Sequence, residues 1–343
     1  MTDKNIRVGI VGAGPVAGLG KSSNSHAGGY ARTEGCELVA VCDTDEDRLH
    51  QFGKEWGIPK LQSYNSAIEM YRDAELDVVS VTTNNLNHHQ PVIEAAEAGV
   101  KVILVEKPIS ISVDLANKMI EACERSGSRL IVDHTRRFTP HHQKIKEMID
   151  SGMIGQVRTV EITGSRPLLH NGTHTVDLAL FLVNDKPIKV SGFISDEPVA
   201  DPGGSGMVVC ENGSVIFINC IATRKQYESN TTIAGTEGRI YYSESKAIWQ
   251  YAPLVEASSV YGSTYKWRDI PDMPSSDYHD YYYATVEAVR CLQEERDSIS
   301  SGIDGKQALE LITAMHVSHK TDNVVRIPLD EEFTSIEIRS TGQ

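Results

Sequence analysis

Ile6-Arg7-Val8-Gly9-Ile10-Val11-Gly12-Ala13-Gly14-Pro15-Val16-Ala17 is the stretch on which the reading of the fold turns. Ile6–Val11 is short, apolar and β-branched, as a buried strand requires, and it runs directly into a G-x-G-x-x-A pattern. The first glycine of such a turn permits the tight bend, and the second lets the backbone approach a pyrophosphate. The small third residue allows a helix to pack closely, with its N-terminus towards the anion. Glycine patterns of this kind recur in unrelated turns, so context decides. Outward from this stretch, Glu37–Cys42, Asp77–Thr82, Val100–Val105 and Arg129–Val132 are further strand candidates, apolar nearly throughout as in a sheet covered on both faces. Helical patterns alternate with them. Leu49, Phe52 and Trp56 share one face of 45–56, and Leu115, Met119 and Ala122 share one face of 112–125 behind Ser112 as N-cap. Repeated β-α-β units predict a doubly wound parallel sheet, an α/β Rossmann domain with its ligand crevice at the strands' carboxyl ends.

After about residue 140 the texture changes. Val157–Thr163, Ile188–Ile194, Met207–Cys210, Val215–Cys220 and Thr231–Ala234 read as strands, with a hairpin turn at Glu211-Asn212-Gly213-Ser214. Helices are expected around 177–182, 282–292 and 306–318. The expected organisation is a cofactor domain over 1–137 and an α+β domain with a mostly antiparallel open sheet over 138–343. A length of 343 residues agrees with two domains. The 33 basic against 47 acidic residues give a net charge of −14, which repels phosphate backbones and anionic lipid, so neither nucleic acid nor a membrane is an expected partner. No apolar stretch approaches the roughly 20 residues of a membrane span. Six cysteines without a CxxC pair suit neither a disulfide framework nor a thiolate zinc site, and with no leader-like N-terminus they place the chain in the cytoplasm.

The second strand ends at Asp43, where a carboxylate accepts hydrogen bonds from both hydroxyls of an adenosine ribose and repels a 2′-phosphate. The expected cofactor is NAD rather than NADP. Asp43 lies 29 residues beyond Gly14, where about 20 is usual. The surplus is the Gly/Ser-rich stretch 18–25 before His26, read as a lengthened loop over cofactor or substrate.

At Glu106-Lys107-Pro108 the sequence resembles the glucose–fructose oxidoreductase / inositol dehydrogenase / rhizopine-catabolism (Gfo/Idh/MocA) family of NAD(P)-dependent sugar dehydrogenases. The resemblance covers nearly the whole chain. Thr83-Asn84-Asn85-Leu86-Asn87-His88 resembles the family's T-P-N-x-x-H turn, with Asn84 in place of Pro, and Arg137-Phe138 its R-F/Y pair. Gly172-Thr173-His174-Thr175-Val176-Asp177-Leu178 resembles its G-x-H-x-x-D-L. The resemblance implies oxidation of a secondary alcohol on a sugar, cyclitol or sugar derivative. It implies a cofactor set of Gly12, Gly14, Pro15, Val16, Asp43, Thr83, Asn85, His88, Glu106 and Lys107. It also implies a homodimer or homotetramer built through the open sheet, with the final segment packing back on the first domain.

The residue chemistry agrees with that resemblance. An ammonium at Lys107, at a strand's carboxyl end, can hydrogen-bond a substrate hydroxyl and stabilise a developing alkoxide. Glu106 can accept from a ribose hydroxyl. His174 is the best general base, since imidazole titrates near neutral pH, and Asp177 one turn on can orient it or bind substrate. His170 and Arg166 complete the expected substrate set. Many relatives carry Asp where this chain has His170, and Arg166 offers a bidentate fork for a carboxylate or phosphate. His170, His174 and Asp177 also have the spacing of a metal face, but no HExxH glutamate accompanies them and Gly172 interrupts the helix, so no metal is expected. His141 and His142 are expected on a solvated helix start. The rings of 278–283 suit either a sugar pocket or helix packing. Two other activities are implied within the family: a cofactor-binding regulator without turnover, and a lyase or glycosidase that uses NAD without net reduction.

Overall fold

A computed structural model describes residues 5–57, 62–195, 198–221, 229–256, 262–274 and 281–340. Its elements run β1 (Ile6–Val11), α1 (His26–Arg32), β2 (Cys36–Cys42), α2 (Glu46–Trp56), β3 (Gln62–Tyr64), α3 (Ala67–Asp73), β4 (Val78–Val81), α4 (His89–Glu97), β5 (Val102–Val105), α5 (Val113–Ser126) and β6 (Arg129–Val132). They continue through α6 (Pro140–Asp150), β7 (Val157–Thr163), α7 (Gly172–Val183), β8 (Pro187–Ile194), β9 (Gly204–Cys210), β10 (Val215–Cys220), β11 (Asn230–Gly235), β12 (Gly238–Ser243), β13 (Ile248–Glu256), β14 (Ser263–Tyr265) and β15 (Arg268–Asp269). The last are α8 (Tyr282–Glu294), α9 (Gly302–Thr321), β16 (Val325–Arg326) and α10 (Glu331–Thr334). Two compact units result. The first takes Met1–Thr139, His279–Lys306 and Arg339–Gln343, and the second Pro140–Tyr278 and Gln307–Ile338.

In the first unit six parallel strands stand in the order β3-β2-β1-β4-β5-β6. That order reverses direction at β1, so the carboxyl ends of β1 and β4 flank the crevice where doubly wound sheets bind ligands. β4 and β5 are buried at every residue, as strands covered by helices on both faces must be. Val8, Ile10, Phe52, Val78 and Leu104 form one core with Ala284, Ala288 and Cys291 of α8. Helix ends follow local chemistry: Asp45 accepts from the N–H groups of Asp47 and Arg48 to start α2, and Gly57 and Gly127 end α2 and α5 in left-handed conformation.

The first helix does not follow the glycine pattern directly. Gly14 O accepts from Gly18 N and Leu19 N, closing a turn, and Gly18 and Gly20 then take positive φ. α1 begins only at His26, capped by Ser25, whose Oγ accepts from Gly28 N. The intervening loop is held by α2: Trp56 Nε1 donates to Gly18 O at 2.9 Å, and Glu55 Oε2 accepts from Gly20 N at 2.6 Å.

The second unit is a ten-stranded sheet with the path β14-β13-β12-β11-β7-β10-β9-β8-β16, β15 pairing with β13. All its pairs are antiparallel except β7 with β10. The hairpin at 211–214 joins β9 to β10, with Gly213 at φ 85°. α7 packs on β7 and β10, where Gly164 lies so close to Thr175 that no Cβ would fit. His141 and His142 are not solvated. The first turn of α6 buries both, His141 stacked on Trp249 at 4.9 Å and His142 Nε2 3.2 Å from the buried Glu244 carboxylate. Burial of two imidazoles is tolerable there because a ring face and a carboxylate receive them.

Candidate active site

Each sequence-predicted cofactor residue lies at the carboxyl edge of the first sheet or on the loops that leave it. Gly12 has φ 94°, and a Cβ there would lie 2.8 Å from the backbone where Thr82 meets Thr83. Gly14 is the opposite case, because a Cβ built on it meets nothing within 4 Å. One glycine is imposed by the protein's own backbone, and the other leaves bare main chain beside open space, the cradle a pyrophosphate needs. Pro15 and Val16 are exposed on the same turn. Asp43 Oδ2 accepts from Ala13 N at 2.6 Å and Oδ1 from Asp45 N at 3.0 Å, which holds the carboxylate against the glycine turn. These residues fit a dinucleotide.

The loop after β4 is built by its own polar groups. Asn84 Oδ1 accepts from Leu86 N at 3.2 Å, so an Asn side chain supplies the bend for which the family pattern uses Pro. Thr83 Oγ1 donates to Asn87 O, and Asn85 is buried. His88 is buried with Nδ1 2.8 Å from Pro108 O and Nε2 3.0 Å from Thr83 O. Burial lowers its pKa below the ordinary imidazole value, and the neutral ring donates to one of these carbonyls at a time. The imidazole thus ties the loop after β4 to the turn after β5, at the cis Lys107–Pro108 peptide.

Glu106 and Lys107 follow β5. Glu106 is buried, yet its carboxyl is held below its usual pKa: burial opposes the charge, and the His26 hydrogen bond, the His26 charge and the Lys107 ammonium outweigh it. Its Oε1 lies 3.0 Å from His26 Nε2, and its Oε2 accepts from Lys107 N at 3.2 Å. Asp133, just past β6, joins the cluster with Oδ2 3.4 Å from the same His26 nitrogen. Burial first, then Glu106, pushes the Asp133 carboxyl well above the ordinary range. Sequence reasoning missed both His26 and Asp133. The only signal was position: a His directly after a capping Ser, and an acid directly after a strand. Arg137 is committed elsewhere in its own unit, its Nη1 2.9 Å from Asp304 Oδ1 and donating to Ile299 O.

Apart from Lys107, the expected substrate set lies in the second unit. Asp201, also unforeseen, accepts from Leu169 N at 2.8 Å and His170 N at 2.9 Å, fixing the loop ahead of α7. Asn171 Nδ2 donates to Arg166 O, before the cis Arg166–Pro167 bond. α7 starts at Gly172, so His174 and Asp177 sit one turn apart on it, half-buried and buried respectively, while His170 precedes the helix and shares no face with them. Among the described residues, the one group of three ligand-type side chains within 4.8 Å of one another is His26, Glu106 and Asp133, not this set. Of the ring-rich stretch, 278–280 lie outside the described residues. Tyr281 packs on His26 at 5.1 Å, and Arg32 lies over the Tyr282 ring.

A parallel sheet in this strand order, with a bare glycine turn and an acid just after β2, defines a dinucleotide-binding Rossmann fold. Residues 6–134 match the family model described as "Oxidoreductase family, NAD-binding Rossmann fold", and residues 142–241 match the "GFO/IDH/MocA C-terminal domain". The chain belongs to the Gfo/Idh/MocA family of dehydrogenases. It is 25% identical to D-apiose dehydrogenase of Paraburkholderia graminis, over 96% of this chain and 93% of that protein. It is 24% identical to myo-inositol 2-dehydrogenase of Thermotoga maritima, over 89% and 94%. Its fold is that of levoglucosan dehydrogenase solved with NADH and L-sorbose, with a TM-score of 0.81, 19% identity and coverage of 95% of this chain and all of that one.

The two glycines separate folding from binding. Gly14→Ala is expected to keep the wild-type melting temperature while weakening NADH at least tenfold in a fluorescence titration. Gly12→Ala is expected to lose about 1–3 kcal/mol of stability in urea unfolding, from a strained φ and a backbone clash. Equal effects of the two on stability would contradict this account.

Proposed function

We propose that this protein oxidises a secondary alcohol of a sugar, cyclitol or sugar derivative, with Lys107 and His174 at the substrate hydroxyl. The observation that carries the reading is the anchorage of Lys107: it follows the parallel strand β5 by two residues, its N–H is held by Glu106, and it stands on the sheet edge that carries the bare Gly14 turn. Two similar proteins that act on apiose and inositol support the substrate class. Bound NAD supplies the hydride acceptor. Lys107 hydrogen-bonds the hydroxyl oxygen and stabilises the alkoxide as it forms, and His174 takes the proton. Asp177, one turn below, orients His174, and Asp43 selects NAD over NADP.

Turnover should appear when NAD reduction is measured over a panel of sugars, sugar acids, cyclitols and nucleotide sugars. With the best substrate, Lys107→Ala and His174→Ala should each lose about a hundred- to ten-thousand-fold in kcat. Wild-type turnover in either variant would remove that residue's role. Within the same panel, Arg166→Ala should lose acidic substrates selectively; equal loss on neutral ones would end the proposal that Arg166 binds an anionic group.

Asp43→Ala should narrow the preference of kcat/KM for NAD over NADP by about tenfold or more, since a charge-assisted hydrogen bond is worth roughly 1.5–3 kcal/mol. An unchanged ratio would place the selection elsewhere.

We also propose that the chain forms a homodimer or homotetramer through the open sheet of the second unit. Phe217 and Met207 are cross-strand partners and both exposed, with Phe193 exposed on the next strand. Sedimentation of Phe217→Glu should show a smaller particle than wild type, and an identical one would refute the face. A cytoplasmic location fits cysteines that are mostly buried; burial pushes the thiols of Cys42, Cys123, Cys210 and Cys291 up to about 12, which makes them poor nucleophiles.

A further inference from the structure

His26 belongs to no motif, yet its ring is fully enclosed. Its Nδ1 lies 3.0 Å from Ser80 Oγ, which in turn lies 2.9 Å from Tyr30 Oη. Its Nε2 faces Glu106 Oε1 at 3.0 Å and Asp133 Oδ2 at 3.4 Å, and the Tyr281 ring covers it. Side-chain exposure is 0% for His26, 8% for Glu106 and 0% for Asp133, so water solvates none of the three.

Two carboxylates sharing one imidazole in such an enclosure do not both ionise. Geometry says which one does. Glu106 has a partner on each oxygen, the His26 ring and the Lys107 N–H. Among the described residues, neither oxygen of Asp133 has a hydrogen-bond partner. An anion is stable where donors meet it and unstable where none do. We propose that His26 is a positioning residue that holds the Glu106 carboxylate as the single anion behind Lys107, while Asp133 completes the cluster as a neutral acid. The charged and titratable neighbours agree with this. Glu106 is held below, and Asp133 well above, the ordinary carboxyl range, and Tyr281 is pushed up first by Glu106, so it stays a phenol. Lys107 favours the anion at both acids, and His88 at Glu106.

The significance lies in the chain order. Glu106 precedes Lys107 directly, and the oxygen not on His26 accepts that lysine's own N–H, so the imidazole sets the backbone from which the ammonium projects. The same three side chains resemble a cation site, since their ligand atoms lie within 4.8 Å of one another. The 3.0 Å contact between His26 and Glu106 is also a hydrogen-bond distance, and the proton-sharing cluster is the arrangement proposed here. The inference rests on the reading that Lys107 acts at the substrate hydroxyl, but its charge assignment can be measured without turnover.

The infrared spectrum of wild type minus Asp133→Asn, recorded at neutral pH, should show a protonated-carboxyl C=O band lost in the variant. Loss of carboxylate bands alone would overturn the assignment, as would a stoichiometric metal in the purified protein whose removal by EDTA alters the band. His26→Leu should lower kcat at least tenfold with the NADH dissociation constant within twofold of wild type. His26→Gln, which keeps an N–H towards Glu106, should recover a substantial part of that loss. Removing the imidazole takes away a cause that lowers the Glu106 pKa. The acid limb of kcat/KM in His26→Leu should therefore move to higher pH. A uniform loss at every pH, or no recovery in His26→Gln, would mean a merely structural histidine. If Lys107→Ala retains turnover while the infrared result stands, the role given to Lys107 has failed and the charge assignment has not.

Discussion

The cofactor edge of the first unit depends on one close approach, that of Gly12 to the backbone at the junction of Thr82 and Thr83. The contact brings the ends of β1 and β4 together, and Thr82 Oγ1 secures it by donating towards the carbonyls of Val11 and Gly12 at 3.1 and 2.7 Å. Gly12 N donates to Cys42 O, so β2 ends beside the same turn and delivers the Asp43 carboxylate to Ala13 N. On the other side β4 feeds the Thr83–His88 loop, whose imidazole reaches Pro108 O and so fixes the turn that presents Lys107. A side chain at position 12 would disturb all of these at once. The glycine is required by the architecture before any cofactor arrives.

Behind that edge lies a second constraint, of charge. The chain is strongly acidic, and most of its carboxylates are solvated at the surface, where their mutual repulsion is screened. Glu106 and Asp133 are not. Both lie beside one imidazole, and Glu106 alone also accepts a backbone N–H. A net charge of −14 describes how the surface meets water; it does not describe the few acids that are buried away from it.

Much of the first unit was legible because its signals are local. Five strands are apolar runs of the right length, and the helix faces at 45–56 and 112–125 show in the spacing of their apolar residues. β3 escaped because an edge strand of three residues, mostly exposed, has no apolar pattern to read. The strands from β12 to β15 escaped for a related reason. Their polar and aromatic residues alternate irregularly, with Pro253 inside β13, so no clean period of two survives. The start of α1 was not legible because the glycine pattern normally opens a helix, whereas here two further glycines at positive φ carry the chain through a turn first. The candidate site divides in the same way. Motif residues are recognisable one at a time along the chain, but His26 meets Ser80 and Glu106 across 54 and 80 residues, and Asp201 meets Leu169 and His170 across 32 and 31. Contacts at such separation leave no local trace. The histidines of α6 show the converse error, since polar residues at a helix start look solvated until a distant Glu244 and Trp249 enclose them.

The loop that delays α1 has one further property. Its Gly18 carbonyl is held by the indole of Trp56, one of only three tryptophans in the chain, and a Cβ on that glycine would press on the same ring. The wavelength of indole emission depends on hydrogen bonding at its nitrogen and on the polarity around it. Trp56 therefore serves as an intrinsic optical probe of the loop ahead of α1, readable without any label and without knowledge of the substrate.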